Sequence, residues 1–118
     1  MTPESSPRRR NGALPPGVVA ALDRGDVSAA GELLRDHGER LARSTPARAR
    51  AGVVQQQGAV ERYDALRPWV QWTAATVCYL LGEAARAEPL LAAAARSFAA
   101  RRRPDLADRV GLSRVDLH

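Results

Sequence analysis

Between Pro68 and Leu81 the chain reads PWVQWTAATVCYLL, fourteen residues without a single charge. The run is too short to cross a bilayer, which takes about 20 apolar residues as a helix. It does not alternate apolar and polar side chains, so it does not read as a strand. What remains is a helix of about four turns at 3.6 residues per turn. Trp69, Trp72, Thr76 and Tyr79 line one side of it, and Val70, Ala74, Val77 and Leu81 line the other. A helix that is apolar all round is buried from more than one direction. The rest of this 118-residue chain must therefore supply its neighbours.

Those neighbours read as helices too. β-Branched residues are scarce and no segment has strand periodicity. Of the 118 residues 23 are Ala, which suits helices whose backbones approach closely. Length and apolar content allow one domain with one modest core. The breaks are legible. Residues 1–13, MTPESSPRRRNGA, form a polar, basic tail whose composition predicts disorder. Residues 14–118 form the folded part. Pro15 and Pro16 precede a short segment, VVAAL, that stops at Arg24-Gly25. Asp26 can cap a second helix to about Arg43. Thr45-Pro46 starts a third, with Thr as cap and Pro at the first helical position, to about Gln57 before Gly58. A short segment follows around 60–66. Pro68 opens the apolar helix and Gly82 closes it; the next helix runs to about Arg102, and Pro104 opens the last. The expected fold is all-α, about six helices in antiparallel pairs.

An internal echo supports pairing. At an offset of 57, LDRGDVSAAGELL (22–34) aligns with YLLGEAARAEPLL (79–91). Gly25 matches Gly82, Asp26 matches Glu83, Ala30 matches Ala87, and Leu33-Leu34 match Leu90-Leu91; further on, Leu41 matches Phe98. In the second copy Pro89 stands inside a run of good helix formers, where it removes a hydrogen bond to a carbonyl near Ala85. Gly82, then Ala87-Glu88-Pro89-Leu90, then Ala94 resembles the second helix of a tetratricopeptide repeat of the kinesin-light-chain style. The resemblance implies a right-handed helical repeat in which Ala75, Ala87 and Ala94 are the small packing residues. Residues 97–118 are also similar to helical repeats of large actinobacterial regulators and of proteins with caspase-like CHAT domains. The pattern departs at Tyr63, which stands where a small residue belongs. Such a resemblance implies a protein-interaction or scaffolding role.

A competing resemblance lies at the C-terminus. LADRVGLSRVDLH (106–118) is similar to a bacterial helix-turn-helix, with Leu106, Ala107 and Val110 as core, Gly111 as turn, and Ser113 capping a recognition helix that carries Arg114. Arg101, Arg102 and Arg103 would then reach phosphates. As a plain amphipathic helix, the same residues place Leu106, Val110, Ser113 and Leu117 on one stripe.

Catalytic chemistry has little to stand on. His37 and His118 are the two histidines and Cys78 the one thiol, with no pair at metal-ligand spacing. Cys78 sits in the apolar helix and reads as a buried, inert thiol. Neither a phosphate loop nor a nucleophile elbow is present. Glu32, Asp36 and Glu39 share a helix face with Arg35, Arg40 and Arg43, which reads as a solvated ion-pair face. All 18 basic residues are Arg, a pattern expected of GC-rich coding, and the net charge of +5 permits but does not require nucleic acid. One cysteine and no signal-like or membrane-length segment point to a cytoplasmic protein.

The expectation is thus a non-enzymatic interaction module without metal or cofactor, whose partner is a protein or a second copy. One candidate surface is the Trp69, Trp72 and Tyr79 face, open as a groove with Arg62, Arg67 and Gln71 as polar rim; the other reading of that face is burial in the centre of the domain. A second candidate is the last helix, through Leu106, Val110 and Leu117. The alternative function is a small basic DNA-binding regulator using residues 104–118.

Overall fold

Each helix begins and ends where local chemistry requires it. The computed structural model describes residues 14–15 and 17–117, with side chains described as far as Leu112. The helices are α1 (Val18–Asp23), α2 (Val27–Ala42), α3 (Pro46–Ala59), α4 (Arg67–Leu80), α5 (Ala84–Ala100) and α6 (Pro104–Leu117). A single turn of 3-10 helix, Asp64–Leu66, leads into α4. No strand occurs among the described residues, and the fold is all-α with six helices. Asp26 caps α2 by accepting a hydrogen bond from the Ala29 N–H at 3.1 Å, and Thr45 caps α3 by accepting from the Arg48 N–H at 3.1 Å.

The aligned glycines do the same job. Gly25 has φ 78° and Gly82 has φ 82°. At each, the glycine N–H donates to a carbonyl three residues back and the next N–H donates to one five back: Gly25 to Leu22 and Asp26 to Ala21, Gly82 to Tyr79 and Glu83 to Cys78. This is the double-bonded turn that satisfies the last carbonyls of a helix. After each turn Ala30 or Ala87, and Leu34 or Leu91, is buried at the matching position. The echo at offset 57 is therefore an echo of local structure.

A third turn of the same kind ends α5. The Arg102 N–H donates to Ala99 and the Arg103 N–H donates to Phe98, but here the left-handed residue is Arg102, with φ 60°. A side chain in this region costs about 1–2 kcal/mol, and glycine relieves that while adding entropy to the unfolded chain. Arg102→Gly is expected to stabilise the protein by about 0.5–1 kcal/mol, read as a higher denaturant midpoint with an unchanged slope.

Some helix ends shift slightly from the sequence reading. Helix α3 continues through Gly58 to Ala59, because an exposed glycine near a helix end costs only about 1 kcal/mol. The short segment 60–66 is a turn that runs into the 3-10 turn Asp64–Leu66, and half-buried Tyr63 packs there on the core of α1, α2 and α4. It therefore occupies no helix–helix packing point. Pro89 lies within α5, as the sequence placed it, and both Pro89 and Ala85 are exposed. The carbonyl that loses its partner belongs to an exposed residue, within reach of water, and the helix tolerates the proline there.

Helix α4 is central. It packs against α2, α3 and α5, while α1 packs on α2 and α6 on α5. One core cluster joins Leu14, Val18, Ala21, Leu34, Leu66 and Val70; a second joins Trp69, Trp72, Ala75, Leu91, Phe98, Leu106 and Val110. Ala75, Ala87 and Ala94 are fully buried in the second, where α4 and α5 meet. Helix α2 approaches α4 through Gly31, which lies under the Trp69 indole, and Gly38, which lies against Thr73. The backbone spans 49 × 32 × 18 Å, about two helices thick.

Candidate functional site

The aromatic face of α4 turns inward. Trp69 and Trp72 are each 1% exposed and meet Phe98 of α5 edge to face, with ring centroids 5.2 and 6.0 Å apart. Half-buried Tyr79 packs on the same cluster. Edge-to-face aromatic contacts of this kind belong to a packed core. The open-groove reading of Trp69, Trp72 and Tyr79 is thereby corrected: α5 and α6 cover the face. Leu106 and Val110 are also buried there, so the last helix does not offer them to a partner. The side chain of Leu117 lies outside the described residues. Arg62 is exposed with its guanidinium 5.7 Å from the Tyr63 ring, away from the aromatic cluster.

The C-terminal stretch is one continuous helix through Gly111, so the turn that a helix-turn-helix needs there is absent. Nothing after Gly111 demands a left-handed residue, and an isolated glycine is tolerated inside a helix. Arg101 donates to the Asp64 carboxylate at 2.9 Å and to its carbonyl at 3.2 Å. Arg103 pairs with Asp105 at 3.1 Å and donates to Ser28 at 3.3 Å. These two arginines fasten α5 and α6 to the rest of the chain; Arg102 is exposed at the turn. The side chains of Ser113 and Arg114 lie outside the described residues.

The charged face of α2 is not wholly solvated either. The Arg35 guanidinium lies 3.7 Å from the centre of the Trp72 ring, and that of Arg109 lies 5.2 Å from it. Both arginines pair with Glu32, at 3.5 and 3.0 Å. Burial draws the Arg35 pKa below the ordinary arginine value, opposed by Glu32 and Glu39. Arg35 Nε and Trp72 Nε1 are buried without a hydrogen-bond partner, so cation–π stacking is what holds this contact.

An open cleft lies instead along the opposite stripe of α4. Val70, Ala74 and Val77, all buried, lie at its floor; α3 and α5 form its walls, bridged at one end by the Arg50–Glu83 ion pair. Two hollows lie end to end, sharing Gln57 and Leu90. One, of about 270 Å³, is lined by Val53, Val54, Val77, Cys78, Leu81 and Leu90. The other, of about 230 Å³, is lined by Val60, Arg67, Val70 and Gln71. Arg67 and Gln71, expected to rim the Trp face, thus rim this one. Val54 is 66% exposed, the most exposed large apolar side chain among the described residues. At the far end Arg50 and Arg86 both pair with the Glu83 carboxylate.

Cys78 lines the first hollow, half-buried. Burial and the nearby Glu83 carboxylate push its thiol up, against weaker opposing effects of Arg86 and Arg50. Its thiolate fraction at neutral pH is accordingly low. Alkylation by iodoacetamide at pH 7.5 is expected to be slower than that of a free small thiol, and to accelerate when the chain is unfolded in guanidinium. A rate equal to that of the free thiol would show that the cleft leaves Cys78 fully open.

A third hollow of about 260 Å³ lies between Val27, Ala65, Trp69, Phe98 and Leu106, but its arginines, Arg101 and Arg103, are already neutralised by Asp64 and Asp105. Among the described residues no three His, Cys, Asp or Glu side chains converge as metal ligands, and no helix is long and apolar enough to cross a membrane. No protein-family model, curated protein or solved structure matches the chain.

A sequence signal for the cleft exists. Arg50, Val53, Val54 and Gln57 recur at helical spacing on α3. Two adjacent valines on a polar helix read equally well as its core face. Only the packing shows that α5 stops short of covering them.

Proposed function

We propose that the chain is a protein-interaction module of helical-repeat type, resembling tetratricopeptide repeats, that docks a partner in the cleft between α3 and α5. The observation that carries this reading is the cleft itself. It has an apolar floor and lips on a chain that otherwise buries its large aromatic side chains. Concave apolar surfaces with a few polar groups at the rim are the usual binding sites of such domains. The repeated helix–Gly–helix unit supports the repeat-type reading. No catalytic step and no cofactor enters it.

The test is a peptide-display selection on the full chain, followed by binding of the enriched peptides to two variants. Val54→Asp places a charge on the cleft lip at an exposed position; Leu112→Asp places one at a 65% exposed position on α6 that is not among the lining residues. Enriched peptides should lose binding to Val54→Asp, keep it for Leu112→Asp, and compete with one another. Peptides indifferent to Val54→Asp, or no enrichment at all, would remove the cleft as the docking surface.

A further inference from the structure

The cleft also constrains what fits it. We infer, resting on the docking reading above, that its occupant is an amphipathic α-helix of about four turns. It would insert two bulky apolar side chains seven residues apart, with Asp or Glu beside Arg50 and Arg86.

Backbone chemistry selects a helix. An extended peptide needs N–H and C=O partners along its length. The walls here are helices whose own backbone groups are internally bonded. The polar groups near the middle of the cleft are the amides of Gln57 and Gln71, and Gln71 Oε1 already accepts from Ser97 at 3.0 Å. A helix brings its backbone already satisfied and presents only side chains, the recognition mode that reads anchors at i, i+3, i+4 and i+7.

Spacing selects the anchors. Val70 and Gln71 of α4 line the second hollow, and Val77 and Cys78, seven residues further along, line the first. At 1.5 Å per residue that separation is about 10.5 Å, two turns of any helix lying along α4. Each hollow is of a size to take one Leu, Met or Phe side chain. The lining stretches from Arg67 to Leu81, the length of α4 and its C-cap, about 21 Å by the same rise, which sets the four-turn length.

Charge selects the acid. The ionisable groups lining the cleft, apart from Cys78, are Arg50, Arg67, Arg86 and Glu83, three cations against one anion. Arg67 is matched by Asp64 outside the cleft, at 2.8 Å. At the other end one carboxylate serves two guanidiniums, and Arg86 holds it only loosely, at 3.5 Å. Among the described lining residues that end has two guanidiniums and no second acid. A partner carboxylate meets complementary charge there, and a lysine is repelled.

The experiment uses the peptides enriched on the full chain. Their sequences should share two large apolar residues at i and i+7 and an Asp or Glu near one of them. Proline placed between the anchors should abolish binding. Arg50→Glu combined with Arg86→Glu should weaken binding at least about tenfold, the scale of a lost charge-assisted contact. Replacing the peptide's acid by Lys should restore it. Both arginines are at least half exposed, so the fold is retained; Arg86→Gln alone supplies the milder version. Bound peptide should also protect Cys78 from alkylation. Peptides that need Val54 yet tolerate the proline, or ignore the charge reversal, would overturn the helix or the acid while leaving the docking surface standing. Peptides with no dependence on Val54 would remove the docking surface itself.

Discussion

Trp69→Ala is expected to destabilise the protein by about 3–5 kcal/mol, the range for truncating a buried aromatic residue to alanine. The position concentrates several contacts. The indole meets Trp72 at 5.6 Å and Phe98 at 5.2 Å, and α2 crosses it at Gly31. Removing it empties a space bounded by α2, α4 and α5 that the two-layer architecture has little spare mass to refill. Small domains have a total stability of about 5–15 kcal/mol, so the variant should unfold at a far lower urea concentration than wild type. A loss below about 1 kcal/mol would mean that Trp69 is not in the core.

Gly31→Ala is expected to cost about 2 kcal/mol net, although alanine is the better helix former by about 1 kcal/mol. A Cβ at position 31 would stand 2.0 Å from Trp69 Cδ2 and 2.4 Å from both Cγ and Cε2. The indole cannot swing away, since Phe98 and Trp72 hold it, so α2 and α4 must separate. The same substitution at Gly58 meets nothing within 4 Å and should gain about 0.5–1 kcal/mol from helix propensity alone. Opposite signs for two Gly→Ala changes, measured by urea denaturation, would establish the close α2–α4 crossing. A stabilised Gly31→Ala would show that the two helices do not approach as described.

The two predictions share a lesson about what was legible. That α4 is buried on several sides followed from fourteen uncharged residues. That Gly31 is a contact point did not, because a glycine inside a helical pattern looks the same whether it faces a tryptophan or water. Gly31 and Gly58 differ only in their neighbours, and neighbours come from distant parts of the chain. Arg35 is a similar case. Its spacing to Glu32 and Glu39 predicts a surface ion-pair face, yet its guanidinium stacks on Trp72, 37 positions away in the chain.

Local chemistry alone determined the helices, their caps at Asp26 and Thr45, and the paired turns at Gly25 and Gly82. Each depends on hydrogen bonds reaching at most five residues along the chain. It also determined that the 68–81 helix would be the hub, since no polar face was left to put into water. Which elements would cover each stripe of that helix was decided only in three dimensions. The tryptophan stripe gains the larger apolar burial and the Phe98 contacts, so α5 and α6 close over it. The smaller Val70–Ala74–Val77 stripe is buried as well, at the floor of the cleft between α3 and α5, and it is the lip at Val54 that stays exposed. Burial energy ranks faces by the partners they find, and a linear pattern of residues does not contain the partners.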